Sequence, residues 1–281
     1  MKWGSWGTAY TNKEYRSMIE ACLASGITSF DHADIYGDYT TEADFGKALG
    51  EIKNRRQQLQ LITKCGICMV VPNRPAFRIK SYNTSRDYII ACAEQSLVNL
   101  QTDYIDALLI HRPDPLMDPE AIAAAFTVLK ESGKVLHFGV SNFTPSQVAL
   151  VHSFFPLEIN QLEVSVTALD PFHNGQLDQC IERNILPMAW GPLGSGVIFS
   201  KERDERSERI LNVATSLAEQ YQTSPDCIIL AFLHRHPAGI LPVLGTAKAE
   251  RLEQAMRHAS IRLSSEEWFM LWRASTGHDV P

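Results

Sequence analysis

The stretch Tyr104-Ile-Asp-Ala-Leu-Leu-Ile-His-Arg-Pro113 is an apolar run that ends in a chargeable side chain. Residues 104–110 have the length and the apolar content of a strand that is buried on both faces. His111 comes directly after this strand. In parallel α/β folds, functional groups collect where strands end and loops begin, so His111 is a candidate site residue.

Two earlier stretches show the same arrangement. Residues 28–31 are predicted as a strand that ends in Asp31, and Tyr36 follows in the next loop. Residues 59–64 are predicted as a strand that ends in Lys64. In a parallel repeat, such side chains share one pocket. The candidate catalytic residues are therefore Asp31, Tyr36, Lys64 and His111.

Apolar β-branched runs and amphipathic stretches alternate along the chain, as in parallel βαβ units. The predicted strands are 28–31, 59–64, 104–110, 135–140, 157–161, 185–189 and 240–244. The predicted helices are 12–24, 41–49, 86–100, 119–131, 145–154, 177–183, 206–220, 225–235, 248–257 and 265–274. Extra helices thus precede the last strand and end the chain.

Helix starts carry recognisable signals. The predicted N-cap residues are Thr11, Thr40, Ser85, Asp118 and Thr144. Pro119 and Pro145 suit the first position of a helix, where a missing N–H costs nothing.

The repeat is not interrupted by a Pro/Gly/Ser-rich linker, which predicts a single domain over residues 1–281. An α/β fold of the (β/α)8 TIM barrel type fits this pattern. The barrel needs an eighth strand, and only residues 1–7 lie before the first helix. The first strand is therefore predicted to be truncated, which would leave open edges on its neighbours.

Composition limits the partners. The 281 residues are 45% hydrophobic and 21% charged, with a net charge of -6 and no stripe of Lys and Arg. Nucleic-acid binding depends on cationic contacts to phosphate, so no nucleic-acid partner is expected. The apolar stretches are too short to cross a bilayer, and no signal segment begins the chain. We expect no membrane partner and a cytoplasmic protein. The sequence indicates no oligomer interface.

Six cysteines are spread over the predicted elements and are expected to be reduced core residues. Cys65 and Cys68 form the one close pair. A redox-sensitive thiol and a metal site are both open readings of this pair, but a zinc site needs further ligands at matching spacing, and no second pair exists. No metal is expected.

Several of these motifs together resemble the aldo-keto reductase family. The family pattern FD-x-A-x-x-YG matches Phe30 to Gly37, and the family's Lys and His match Lys64 and His111. The Asp-His-Ala variant at 31–33 is similar to a bacterial branch. The resemblance runs from about Tyr10 to the C-terminus, and the N-terminus is short beside the family.

The chemistry of the four residues agrees with this resemblance. A Lys ammonium beside a Tyr stabilises the phenolate and lowers its pKa, so Tyr36 can donate a proton to a carbonyl oxygen. Asp31 would hold Lys64 charged, and His111 would hydrogen-bond the substrate oxygen. Taken alone, each residue also has an ordinary reading: a loop aromatic, a turn cap, a paired lysine or a core histidine.

The resemblance also implies a nicotinamide site, although the chain has neither a G-x-G-x-x-G fingerprint nor a P-loop. The run Gly139 to Phe143 matches the family's G-x-SN-F, in which Ser141 and Asn142 hold the carboxamide. Gln161 would bind the same amide, and Trp190 would stack on the ring. Without the family, these residues are turn formers or core residues.

Two loops match the family's phosphate contacts. The loop at 191–196 resembles the pyrophosphate loop and contributes Gly191, Leu193, Gly194 and Gly196. The last loop opens a helix, whose N-terminus favours phosphate, and contributes Gly245, Thr246, Lys248 and Arg251. This supports NADP over NAD, although Arg251 also fits a solvated helix face.

The function implied is NADP-dependent reduction of a small aldehyde or ketone to an alcohol. One alternative is a barrel that binds NADP as a redox sensor with little turnover. A second is a metal-dependent hydrolase built on His234 and His236. Residues two apart do not face one site on a helix, which argues against the hydrolase.

Overall fold

The computed structural model describes residues 3–281, which form two compact units with their boundary between Asn160 and Gln161. The elements of the first unit are α1 (Asn12–Ala24), β1 (Ser29–Asp31), α2 (Tyr36–Tyr39), α3 (Thr41–Glu51), β2 (Gln60–Cys65), β3 (Ile67–Cys68), β4 (Ser81–Tyr82), α4 (Arg86–Leu100), β5 (Ile105–Ile110), α5 (Pro119–Glu131), β6 (Val135–Ser141) and α6 (Pro145–His152). The boundary falls within β7 (Ile159–Glu163). The elements of the second unit are α7 (Gln176–Arg183), β8 (Leu186–Trp190), α8 (Glu205–Gln220), α9 (Pro225–His234), β9 (Leu241–Val243), α10 (Ala249–Met256) and α11 (Ser265–Thr276).

Strands β1, β2, β5 and β6 of the first unit pair in that order, and all are parallel. Asp31 lies opposite Ile62, and Lys64 lies opposite Leu109. Parallel strands end at the same edge of a sheet, so the side chains at their carboxyl ends are brought together. The seven strands predicted from the sequence are all present, with ends that differ by at most a few residues.

These strands are buried because both faces are covered, and they read as continuous apolar runs. In β5, Leu108, Leu109 and Ile110 are fully buried. Helix α1 turns an apolar stripe inward that includes Tyr15, Met18, Ile19 and Cys22. The sequence pattern of α1 and the fold therefore agree.

Three of the five predicted N-caps are confirmed. The side chains of Thr11 and Thr144 each close a capping box, and that of Asp118 accepts a hydrogen bond from a backbone N–H of α5. Helices α5 and α6 begin with the predicted prolines.

Thr40 and Ser85 also stand at the predicted N-cap positions, but neither side chain makes a cap hydrogen bond. The Thr40 hydroxyl donates instead to the carbonyl of Gly37, at 2.7 Å, and makes no cap bond. The Ser85 side chain also makes no cap bond, and the Ser85 N–H is bonded to the side chain of Asn83. For Thr40, a local turn has drawn the hydroxyl away from the helix end.

A small antiparallel hairpin of β3 and β4 was not predicted. Ile67 pairs with Tyr82 and Cys68 with Ser81, which leaves residues 69–80 as the connecting loop. Strands of two residues are too short to give an alternating pattern, so periodicity cannot reveal them.

The second unit has its own apolar core between α8, α9 and α11. The rings of Phe232 and Trp268 are stacked at 4.7 Å, and Trp268 Nε1 donates to the Phe232 carbonyl at 3.0 Å. In the same unit β8 pairs with β9 in parallel, with Trp190 opposite Val243. This pairing fixes the carboxyl end of β8, where Trp190 lies.

The predicted truncation of the first strand concerns the start of the chain. Residues 3–8 form a turn that contains an isolated bridge between Trp3 and Thr8. Met1 and Lys2 lie outside the described residues. Both the truncation and the single domain over residues 1–281 stay predictions.

Candidate active site

Four elements of the first unit position the predicted catalytic residues. Asp31 is the last residue of β1, Lys64 lies in β2, and His111 follows β5. Tyr36 begins α2, five positions after Asp31. The His111 N–H donates to the Cys65 carbonyl at 2.8 Å, which continues the parallel pairing past the end of β5. All four residues therefore lie at the carboxyl ends of neighbouring strands.

Lys64 is held by three oxygen atoms. Its Nζ atom donates to Oδ1 and Oδ2 of Asp31 at 2.7 and 2.8 Å, and to the His32 carbonyl at 2.7 Å. The Lys64 side chain is only 1% exposed. Burial lowers the pKa of this ammonium group, but Asp31 and Tyr36 outweigh burial and raise the pKa above its usual value. Lys64 is therefore a buried, fixed positive charge.

Tyr36 lies next to this charge. The Nζ atom of Lys64 is 5.2 Å from the centre of the Tyr36 ring. We expected the ammonium to lower the pKa of Tyr36, and it does act in that direction. Burial of the phenol has the larger effect, however, and raises the pKa above its usual value. Tyr36 is thus protonated in the free protein, which is the state that a proton donor needs.

His111 faces the same tyrosine. Its ring centre is 6.0 Å from that of Tyr36, with the two planes at 78°. Burial, together with the nearby Lys64 and Arg112, places the pKa of His111 well below its usual value, so the imidazole is neutral. The buried Nδ1 atom has no hydrogen-bond partner among residues 3–281. A neutral imidazole carries one N–H, which can be donated to a substrate oxygen.

His32 was not singled out as a site residue, yet its main chain supplies the third acceptor for Lys64. Its ring is fully buried and meets Phe45 edge-on at 4.5 Å. Burial lowers the pKa of His32 to about 3. Carbonyl acceptors have no side-chain signature, so sequence patterns could not reveal this contact.

Ser141 and Asn142 lie at the end of β6, also in the first unit. Asn142 has a φ of 60°, and its side-chain amide donates to the Ser141 hydroxyl at 2.8 Å. Asn accepts left-handed backbone more readily than most residues. Gly139 of the same run is required by packing, since a Cβ there would lie 2.4 Å from the Ile159 carbonyl oxygen.

The remaining candidate residues lie in the second unit. Gln161 is buried in β7, and Trp190 ends β8. The glycine-rich loop that follows is a tight turn, with positive φ angles at Gly191, Gly194 and Gly196. The amide of Gly194 donates to the Gly191 carbonyl and that of Gly196 to the Leu193 carbonyl, so both are bonded within the turn.

The last loop of the second unit leads into α10. Lys248 is the N-cap residue of this helix, and its N–H donates to the Thr246 hydroxyl at 3.2 Å. The side chains of Lys248 and Arg251 are exposed, and a Cβ added at Gly245 would meet nothing within 4 Å. Two cations thus lie beside a helix N-terminus, where an anion is favoured.

His234 and His236, the pair considered for a metal hydrolase, do not share neighbours. His234 meets His258 edge-on at 5.9 Å, whereas His236 meets Phe172 at 5.2 Å, so the two histidines have different neighbours. Within residues 3–281, no three His, Cys, Asp or Glu side chains are grouped so that they could hold a metal ion. In the same part of the chain, every helix is too short or too polar to traverse a bilayer.

The sequence is similar to those of known proteins. The profile of the aldo/keto reductase family matches residues 1–274. The oxidoreductase YcsN of Bacillus subtilis is 47% identical over 275 residues, which cover 97% of this chain and 91% of YcsN. The 6-dehydroglucose reductase of Agrobacterium fabrum is 39% identical over 267 residues, covering 94% of this chain and 89% of that enzyme.

The fold is also found in a solved structure. The crystal structure of an aldo/keto reductase from Klebsiella pneumoniae, in complex with NADP and acetate, has a TM-score of 0.77 and 23% identity, and the match covers 96% of this chain and 89% of that one. The fold class is α/β, of the predicted (β/α)8 barrel type. The chain belongs to the aldo/keto reductase family. It is an oxidoreductase of a family that acts on small carbonyl compounds with a nicotinamide cofactor, and the resemblance noted from the motifs is confirmed.

Proposed function

We propose that the chain reduces an aldehyde or ketone to an alcohol with NADPH, and that Tyr36 donates the proton. The observation that carries the proposal is the position of the Tyr36 phenol, whose ring centre lies 5.2 Å from a Lys64 ammonium that Asp31 keeps charged. A phenol in this setting is protonated at rest. It can still release its proton, because the phenolate that results faces a fixed cation.

Each residue has a distinct role in the proposed reaction. Bound NADPH supplies the hydride to the carbonyl carbon. Tyr36 gives its proton to the carbonyl oxygen, while the neutral His111 donates a hydrogen bond to the same oxygen and so favours the charge that develops there. Lys64 and Asp31 do not contact the substrate in this scheme. They stabilise the phenolate of Tyr36 until it is protonated again.

The described residues fit a dinucleotide with a phosphate on its ribose. Lys248 and Arg251 are exposed at the start of α10 and belong to none of the ion pairs found within residues 3–281. Charge-assisted bonds to phosphate are strong. The Klebsiella relative holds NADP, which supports the same choice here. Ser141, Asn142, Gln161, Trp190 and the loop at 191–196 are proposed to bind the rest of the cofactor.

The name of the Agrobacterium relative suggests the first substrate to test. This substrate is 6-dehydroglucose, an aldehyde derived from glucose. The six cysteines are all free thiols, which supports a reducing compartment such as the cytoplasm.

The test compares two tyrosine variants. We expect Tyr36→Phe to bind NADPH as the wild type does, as measured by quenching of protein fluorescence, and to lose reduction of a panel of aldehydes and ketones. Tyr104→Phe is the matched control, because its ring can keep its contact with Arg56 at 3.8 Å. That control should retain both binding and turnover.

Stopped-flow mixing of NADPH-bound protein with the panel separates an enzyme from a sensor. Oxidation of bound NADPH in one turnover supports the reductase. Tight binding of NADPH with no oxidation by any carbonyl would instead favour the redox-sensing alternative, and retained turnover in Tyr36→Phe would reject Tyr36 as the donor.

A further inference from the structure

The turn that follows Tyr36 has an unusual backbone. Gly37, Asp38 and Tyr39 are consecutive, and their φ angles are all positive, at 59°, 56° and 68°. This left-handed region suits glycine and is tolerated by aspartate, but a bulky residue such as tyrosine adopts it rarely. A Cβ added at Gly37 would overlap the Thr41 hydroxyl, so this position requires glycine. The turn is strained, and contacts with other segments must hold it in this form.

Asp38 joins the turn to two other parts of the first unit. Its Oδ1 atom accepts a hydrogen bond from the Trp6 indole N–H at 3.0 Å. Its carbonyl accepts a hydrogen bond from the Asn73 side-chain amide at 2.7 Å. Trp6 lies in the turn at 3–8, and Asn73 lies in the loop between β3 and β4. The side chain and the main chain of Asp38 therefore hold three segments together.

Tyr39 is held by the β3–β4 hairpin and its loop. The Tyr39 hydroxyl donates to the Ile67 carbonyl at 3.1 Å and accepts a hydrogen bond from the Met69 N–H at 3.0 Å. The Arg74 guanidinium lies over the Tyr39 ring, 4.7 Å from its centre. These contacts stabilise a backbone conformation that tyrosine rarely adopts. The hairpin thus has a role in the first unit, which is to support the turn after Tyr36.

Asp38 is connected to Tyr36 in two ways. Along the backbone the two are two residues apart, and the Tyr36 carbonyl accepts the Thr40 N–H at 3.2 Å, which closes the turn. Through side chains, the Trp6 ring held by Asp38 lies 6.0 Å from the Tyr36 ring, with the planes at 56°. Rings at this separation form a specific pair, so a shift of the Trp6 ring changes the surroundings of the phenol.

We propose that Asp38 is a positioning residue for the reduction: it fixes the strained turn and the Trp6 ring, and through both it directs the Tyr36 hydroxyl at the carbonyl oxygen. Asp38 does not contact the substrate or the cofactor in this scheme. Proton transfer requires the two oxygen atoms to be within hydrogen-bond distance, so a small displacement of the phenol lowers the rate of reduction. The inference rests on the proposed function, in which Tyr36 is the proton donor.

The first test is the Asp38→Gly variant. Glycine adopts the left-handed region without strain, so the fold is retained, but the bond to Trp6 is lost and the turn can leave its conformation. We expect kcat to fall by about tenfold to a hundredfold, as for a misplacement of about 1 Å, and KM for a small aldehyde to change by less than about threefold. The melting temperature should stay within about 4 °C of that of the wild type.

Two further variants separate positioning from the relief of strain. Gln101→Gly is the matched control, because Gln101 at the end of α4 has φ 52° and ψ 47°, close to the 56° and 45° of Asp38. It should keep the kcat of the wild type. Asp38→Asn keeps a side-chain oxygen for Trp6 and tolerates the left-handed backbone, so its kcat should be within about threefold of wild type. Equal losses of kcat in Asp38→Asn and Asp38→Gly would overturn the proposal.

A double-mutant cycle tests the route through Trp6. Trp6→Phe removes the indole N–H and keeps an aromatic ring beside Tyr36. If Asp38 acts through this bond, the double variant Trp6→Phe/Asp38→Gly should have a kcat within about threefold of that of Asp38→Gly alone. Multiplication of the two single losses would show that the residues act independently, and would overturn the proposal.

Hydrogen exchange examines the turn without any reaction. In Asp38→Gly the Thr40 amide should exchange at least about tenfold faster than in the wild type, because its bond to the Tyr36 carbonyl opens with the turn. The amides of β5 should exchange at the same rate in both proteins. If the wild type reduces no carbonyl, the proposed function fails, and hydrogen exchange still decides whether Asp38 holds the turn. Unchanged exchange at Thr40, or unchanged kcat in an active enzyme, would overturn the proposal.

Discussion

Lys64 contacts both carboxylate oxygens of Asp31, at 2.7 and 2.8 Å, in a part of the first unit that water hardly reaches. The pair joins the ends of two neighbouring strands and fixes the charge beside Tyr36. Removing one partner of such a pair is costly, because the other charge is left buried without compensation.

We therefore expect Asp31→Asn to lower the free energy of unfolding by about 3–5 kcal/mol, as measured by urea denaturation at neutral pH. The control is Asp87→Asn, which breaks a 2.7 Å pair with Arg86 whose carboxylate is 89% exposed. That change should cost less than about 1 kcal/mol. Equal losses in the two variants would show that burial does not increase the contribution of the Asp31 pair to the free energy of unfolding.

The buried His32 ring should make the protein sensitive to acid. The folded protein keeps this imidazole neutral down to a pKa of about 3, whereas the unfolded chain takes up the proton near 6.5. Since the unfolded state binds more protons in this window, stability falls as the pH falls from 6.5 toward 3. The contribution of His32 is at most about 1.4 kcal/mol per pH unit.

The His32→Leu variant tests this contribution, since its stability should depend less steeply on pH between 6.5 and 4 in denaturation experiments. His278→Leu, which removes an exposed histidine, should parallel the wild type. The prediction fails if His32→Leu keeps the full slope.

His111→Leu should lower kcat by about 10²–10³-fold, the usual loss for one donor to a developing oxyanion, and should leave NADPH affinity unchanged. His137→Gln, which alters an exposed residue paired with Glu158, should behave as the wild type. The pKa of His111 is well below its usual value, so the imidazole stays neutral when the pH falls through 6.5. We therefore expect no decline in kcat/KM of the wild type as the pH is lowered through this value. A decline there that vanishes in His111→Leu would contradict the neutral imidazole.

Gly139→Ala should destabilise the protein by about 1–3 kcal/mol, because the new methyl group would overlap the Ile159 backbone. Gly245→Ala is the control, since a Cβ there meets nothing within 4 Å. Thermal melts of the two variants should differ clearly. Similar melting temperatures would mean that β6 adjusts without cost.

Replacing both Lys248 and Arg251 by Ala should weaken NADPH binding by about a hundredfold or more and NADH binding much less, as each lost charge-assisted bond is worth about 1.5–3 kcal/mol. Titration calorimetry with the two cofactors measures the difference. Lys201→Ala removes another exposed cation of the second unit and should change neither affinity. Equal weakening for both cofactors would remove the basis for preferring NADP.

Much of the fold was predictable because long elements have strong periodicity. The bounds of α1, α4 and α5 match their predicted ranges. Helices α1 and α5 each have an apolar stripe and a capping side chain at the start. The β3–β4 hairpin was missed because its strands are two residues long. The cap positions at Thr40 and Ser85 were predicted correctly, but the cap bonds did not form, and at Thr40 a nearby turn competes for the hydroxyl.

The four catalytic candidates were predictable from strand ends, because parallel pairing brings those ends together. The electrostatics were only partly predictable. Lys64 does lower the pKa of Tyr36, but the larger opposing effect of burial depends on how tightly the phenol is packed, which no motif encodes.

The third oxygen around the Lys64 ammonium is a peptide carbonyl, contributed by position 32 whatever side chain stands there. Position 32 can therefore vary in the course of evolution, or be redesigned in the laboratory, without removing any acceptor from the lysine. A library randomised at this codon would sample acid tolerance and packing against Phe45 while the three oxygen acceptors of Lys64 stay in place.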